Sequence, residues 1–171
     1  LGTMDRIVNI DLLKMIYDDL RQGIDDRGEI LTFWNPAEFG FGCLRPCMHS
    51  HQFSILGDTL YLTSYQRSCD VGNGLNFNSL QCWFLLNLMA QITGLKPGTA
   101  THHITNLHIY DDQVPAFREM LSREPMWNHA EIVLNPEIKT LFDVLVHRHA
   151  RDYLTVSGYE SHPKIIFPFS A

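Results

Sequence analysis

The sequence has no apolar run near the roughly 20 residues that a bilayer-spanning helix needs, so a protein that does not span a membrane is expected. It has no Walker loop and no dinucleotide fingerprint, which removes those two phosphate-cradling turns from consideration. Cationic residues are few: 13 Lys and Arg stand against 19 Asp and Glu, a formal charge of −6. Duplex affinity comes mainly from many cationic contacts to phosphate, so nucleic acid is not an expected partner. Only four cysteines occur, Cys43, Cys47, Cys69 and Cys82, irregularly spaced in a chain too large to need staples. Reduced thiols in a cytoplasmic protein are the expectation. No charged n-region leads into an apolar h-region, so no signal peptide is read, and Leu1-Gly2-Thr3 ahead of Met4 points to a native N-terminus that differs.

What is present is globular. The 171 residues are 45% hydrophobic and 19% charged, and no repeat, linker or low-complexity tract divides them, so one domain is read over 1–171. Ile7, Ile10, Leu13, Ile16, Tyr17 and Leu20 recur at helical spacing, with Gly23 as the stop. Glu29 to Trp34 is rich in strand formers and ends at Asn35-Pro36. His51 to Leu56 and Thr59 to Gln66 flank Gly57-Asp58 and predict a hairpin. Gly72, Asn73 and Gly74 predict an open loop where backbone could approach a ligand. Ser79 is the expected N-cap of a buried central helix from Leu80 to Thr93, closed by Gly94. A strand is expected from Thr99 to Ile109, a helix from Asp112 to Ser122, and short strands at Ile132–Leu134 and Tyr153–Ser157. Interleaved helices and strands with a hairpin imply a mixed sheet in an α+β or mixed α/β class.

Four places could carry chemistry. Cys47 follows Arg45-Pro46 at a strand entrance, and a cationic neighbour would favour its thiolate; the alternative is a small buried hydrophobe. Gln66-Arg67-Ser68-Cys69-Asp70 offers a guanidinium fork, a hydroxyl and a carboxylate before a glycine-rich loop, the parts for a phosphate monoester; the alternative is a turn with an Arg–Asp pair. The amide of Asn78 can donate and accept on one edge, as a pyrimidine requires, but a helix cap would explain it equally. His108 and Tyr110 share one face of the expected strand, where partly buried packing is the alternative. The histidine-rich stretches, Cys43, Cys47, His49 and His51, or His102-His103, or His147 and His149, lack the regular paired spacing of zinc sites, so no metal is assigned.

In order, Ile30-Leu31-Thr32-Phe33-Trp34-Asn35-Pro36, Leu44-Arg45-Pro46-Cys47, Tyr65-Gln66-Arg67-Ser68-Cys69-Asp70-Val71, Phe77-Asn78 and His108-Ile109-Tyr110 resemble the thymidylate synthase family. Leu121-Ser122-Arg123-Glu124-Pro125 and Gly158-Tyr159-Glu160-Ser161-His162-Pro163-Lys164-Ile165 continue the likeness from about Met4 to the end. It implies a twisted mixed sheet with helices on one face and two subunits paired through their sheets. It also implies that Cys47 attacks C6 of a uracil-type nucleotide monophosphate, after which C5 takes a one-carbon unit from 5,10-methylenetetrahydrofolate. By the same resemblance Asn78 reads the pyrimidine edge and favours uracil over cytosine, Gln66 is among the substrate-binding residues, and backbone around Asp70 holds O2. His108 and Tyr110 hold the sugar hydroxyl, Arg67 and Ser68 the 5′-phosphate, with Arg67 also polarising the catalytic Cys47, and Arg27 reaches the partner's phosphate across a homodimer.

The sequence departs from the family pattern at three positions. Gly28 stands where a second phosphate arginine is expected, Met48 replaces the histidine after the nucleophile, and Asn76 replaces a proline. The family's N-terminal segment, with a further phosphate arginine, a proton-organising glutamate and a tryptophan over the folate, has no counterpart here. Three readings stay open: a synthase making dTMP from dUMP, a nucleotide 5-hydroxymethylase in which water ends the reaction, and a non-catalytic nucleotide-binding relative.

Overall fold

The computed structural model describes residues 11–127, 129–147 and 149–169. The first helix, α1 (Leu12–Arg21), starts where the Asp11 side chain accepts from the Lys14 amide at 3.0 Å. Its Ile16, Tyr17 and Leu20 form one buried stripe, and Gly23 follows with φ +70°. Ile7 and Ile10 of the expected helix lie outside the described residues.

Strands β1 (Ile30–Thr32), β2 (Met48–Leu56) and β3 (Thr59–Gln66) are successive antiparallel neighbours. Gly57 takes φ +65° in the two-residue turn, as the first central position of a II′ hairpin requires. After β4 (Cys69–Asp70), helix α2 (Leu75–Thr93) crosses back to β5 (Lys96–Ile104), which pairs parallel with β3. The sheet order is β1-β2-β3-β5. A short β6 (Leu107–His108) pairs with β4, so the single strand expected over Thr99–Ile109 is broken in two. The chain continues through α3 (Val114–Leu121), β7 (Glu131–Leu134), α4 (Leu141–Val146) and β8 (Leu154–Ser157), with β7 and β8 antiparallel. This is the mixed-sheet α+β architecture expected.

One sheet face packs on the helices. Phe53, Leu60 and Leu62 meet Ile16 and Leu20 of α1 and Leu86, Met89 and Ile92 of α2 in one core. Each such side chain contributes about 1.5–3 kcal/mol when fully buried. Two expectations for α2 fail. The helix begins at Leu75 rather than Leu80, with Gly74 as an N-cap lacking a side-chain bond, so Ser79 does not cap it. Its N-terminal half is also open to the surface, with Phe77 73% exposed, so only the C-terminal half is fully central.

Candidate active site

The predicted residues gather where β3 ends. Cys47 lies exposed one residue before β2, and Arg67, one residue past β3, is tied to that approach. The Arg67 amide donates to the Cys47 carbonyl at 2.8 Å, its Nε to the Pro46 carbonyl at 3.1 Å and its Nη2 to the Arg45 carbonyl at 2.9 Å. Its Nη1 has no hydrogen-bond partner among the described residues and remains available to an anion. The alternative Arg–Asp pair is not what forms, since the guanidinium spends its bonds on the Cys47 loop. Ser68 is half-buried, and its hydroxyl has no partner among the described residues.

Gln66, 1% exposed, is the hub. Its Nε2 donates to the Ser68 carbonyl at 2.8 Å and to Asn78 Oδ1 at 3.0 Å, while its Oε1 meets His102 Nε2 at 2.7 Å. Asn78 sits inside the first turn of α2 and not at its cap, which removes the capping explanation for it. The Cys69 thiol also approaches Asn78 Oδ1, at 3.9 Å, and burial pushes that thiol's pKa up.

Asp70 anchors the following loop. It accepts from the Gly72 amide at 2.9 Å, from Asn73 Nδ2 at 3.0 Å and from Gln113 Nε2 at 2.9 Å. Burial works to raise its pKa, but hydrogen bonds from Asn73, Gln113 and the loop amides outweigh it and hold the carboxyl below its usual range. The 72–74 loop is not open to a ligand at Gly72: a Cβ there would stand 2.7 Å from the Phe167 ring. The glycine admits the chain's own tail, whose Phe167 packs on Phe117 and whose Pro168 carbonyl accepts from Asn73 and Gln113. At Gly74 a Cβ would meet the Asp70 carbonyl at 2.9 Å and Asn78 Oδ1 at 3.2 Å. Only a residue without a side chain lets the helix start this close.

His108 ends β6, and Tyr110 lies beyond it rather than on the same strand. Their rings still meet edge to face, with centroids 5.0 Å apart, and His108 Nδ1 pairs with Asn106 Oδ1 at 2.8 Å. Parallel pairing of Asp70 with His108 places this pair beside the Asp70 loop. Arg27 is not brought to the site. Its loop is tied to the far end of β2, where the Ile55 amide donates to Asp25 Oδ2. Eight residues of strand at about 3.3 Å each separate Ile55 from Cys47, roughly 25 Å. Arg27 itself is exposed and holds φ +73°. Met48 is buried in the core, so the residue after Cys47 faces hydrocarbon and not the site.

Asn73, His102, Asn106 and Gln113 were not assigned from the sequence. Gln113, 0% exposed, had no pattern to reveal it, and His102 had shown only as part of a histidine pair. Among the described residues no cluster of His, Cys, Asp or Glu could hold a metal ion. A cavity of about 910 Å³ lies between the end of α3 and the tail, with Asn76 and Phe167 on its wall.

The thymidylate synthase family model matches residues 4–171. The chain belongs to that family. It is 59% identical over 162 residues to the thymidylate synthase of Shewanella pealeana, covering 94% of this chain and 56% of that protein. The thymidylate synthase of Idiomarina loihiensis is 56% identical over 163 residues, covering 95% of this chain and 57% of that protein. This thymidylate synthase family chain therefore spans little more than half the length of those relatives. The solved thermostable thymidylate synthase A of Bacillus subtilis superposes with a TM-score of 0.82 at 27% identity, covering 99% of this chain and 60% of that one. The T4 phage enzyme gives 0.80 at 31% identity, covering 95% and 59%.

Proposed function

We propose that this chain carries the nucleotide-binding and nucleophilic part of a thymidylate synthase. The reaction is folate-dependent transfer of a one-carbon unit to C5 of dUMP, giving dTMP. The observation that supports it most is the convergence at the end of β3. Arg67 is clamped to the Cys47 loop with one guanidinium nitrogen to spare, while Gln66 holds the Asn78 amide nearby. Cys47 is exposed and can add to C6 of the pyrimidine. Addition makes C5 an enol-like nucleophile and moves charge to O4, where a positioned N–H donor lowers the barrier. Asn78 supplies that donor, His108 and Tyr110 serve the sugar, and Arg67 with Ser68 serves the 5′-phosphate. 5,10-Methylenetetrahydrofolate is the second substrate.

The partner in this reading is a second copy. The Arg27 loop is tied at Ile55, roughly 25 Å of strand from Cys47 of its own chain, which supports Arg27 serving another protomer's nucleotide. The outer sheet face supports pairing: Ile30, Leu56 and Tyr65 are exposed on it, and His49, Tyr65 and His103 stack in a row. Four free cysteines fit a reducing cytoplasmic setting. Among the described residues no helix is long and apolar enough to cross a membrane. Relatives at 55–59% identity named thymidylate synthase favour the synthase reading over the hydroxymethylase and the non-catalytic ones.

Incubation with dUMP and methylenetetrahydrofolate is expected to yield dTMP and dihydrofolate. Tetrahydrofolate with a 5-hydroxymethyl nucleotide would instead establish the hydroxymethylase. A covalent mass shift equal to 5-fluoro-dUMP plus methylenetetrahydrofolate is expected on Cys47 and lost in Cys47→Ala; its absence in the unsubstituted protein would leave the non-catalytic reading.

A further inference from the structure

We propose that His102 is a positioning residue for base recognition: through Gln66 it helps hold the Asn78 amide with its oxygen turned inward and its nitrogen presented outward. The inference deepens the reading above and rests on Asn78 facing the pyrimidine.

The orientation follows from one atom that can only accept. The Ser68 carbonyl lies 2.8 Å from the Gln66 amide group, so the group facing it must be Nε2, the donor. Gln66 Oε1 then points the other way, at His102, 2.7 Å distant. Two acceptors cannot face each other at that distance, so His102 Nε2 carries its proton in either charge state of the ring. The second hydrogen of Gln66 Nε2 is directed at Asn78, which must answer with Oδ1, 3.0 Å away. The Cys69 thiol lies 3.9 Å from the same oxygen and 3.8 Å from the Asp70 carbonyl, to either of which its one proton can be donated. Asn78 Nδ2 is thereby left facing out, with no partner among the described residues. An outward N–H donor matches a ring carbonyl, as in uracil at position 4, and opposes the amino group that cytosine carries there. Without the histidine donor, Gln66 Oε1 is a buried acceptor lacking a partner, and the Ser68 carbonyl alone is left to hold the amide in register with Asn78.

The test uses the full chain with dUMP and dCMP as paired ligands, titrated calorimetrically. The unsubstituted protein is expected to favour dUMP. His102→Phe should reduce the dUMP-to-dCMP affinity ratio about tenfold, the equivalent of one hydrogen bond. His102→Gln, whose amide can donate at similar reach, should retain the ratio. Equal weakening toward both nucleotides, or an unchanged ratio in His102→Phe, overturns the proposal. An unsubstituted chain that binds neither nucleotide, or prefers dCMP, breaks the underlying reading of Asn78. The relay is then judged separately from the imidazole nitrogen resonances of the unsubstituted protein, which should show a proton on Nε2. A proton on Nδ1 alone overturns the relay whatever the chain binds.

Discussion

The inner face of the sheet changes character along β2 and β3. Toward the Leu56–Thr59 turn it carries Phe53, Leu60 and Leu62, buried in hydrocarbon from α1 and α2. Toward the other end the same face carries His51, Ser64 and Gln66, as deeply buried at 1%, 0% and 1% exposed, yet polar. His51 and Ser64 are register partners joined Nδ1 to Oγ at 2.8 Å. Buried polar groups cost stability unless they are bonded, so continuing the apolar pattern would have made the firmer sheet. The polar end is where the candidate site stands. Equal burial therefore serves adhesion at one end and side-chain orientation at the other, because a hydrogen bond has direction and a hydrophobic contact has little.

The contrast can be broken at each end. Phe53→Ala empties the apolar end and should cost about 3–5 kcal/mol in chemical denaturation; a loss under about 1 kcal/mol would show that end to be loosely packed. At the polar end, burial first, then the neighbouring His102 and His49, lower the His51 pKa to about 4. Between that value and an ordinary one near 6.5, the unfolded chain takes up a proton that the folded chain refuses. Stability is thus full above about pH 6.5 and falls as pH drops through the window, by up to roughly 3 kcal/mol. Denaturation at pH 7 and pH 4.5 should show the slope, and His51→Gln should flatten it; a slope unchanged by the substitution would locate the titrating group elsewhere. At the mouth, Arg67→Met should weaken dUMP binding by about 1.5–3 kcal/mol while leaving deoxyuridine nearly unaffected. Equal loss for both ligands would make Arg67 a clamp for the Cys47 loop alone.

Much of this was legible beforehand. The hairpin followed from two β-rich runs around Gly57-Asp58, and α1 from the spacing of Ile16, Tyr17 and Leu20. The motif order around Cys47, Arg67 and Asn78 identified the family. The start of α2 was not legible, because Gly74 caps it without a side chain. Its first turn is held by Gln66, twelve residues back, on Asn78, and its start by the Asp70 carbonyl on the Gly74 amide at 2.8 Å. Gly72 read as room for a ligand because sequence spacing cannot show that Phe167, far along the chain, fills the space. The site role of Gln113 was invisible for the same reason: besides the local Tyr110 amide, its partners Asp70 and Pro168 lie 43 and 55 residues away.

Residue order alone settled which chemical groups this chain possesses and which strands and helices carry them, since periodicity and turn chemistry act over a few neighbours. Which way each polar group faces was settled only by folding. The orientation of Asn78 depends on Gln66 and Ser68 at the end of β3 and on His102 in β5, 36 residues along the chain, and a directional bond exists only once all its members are in place.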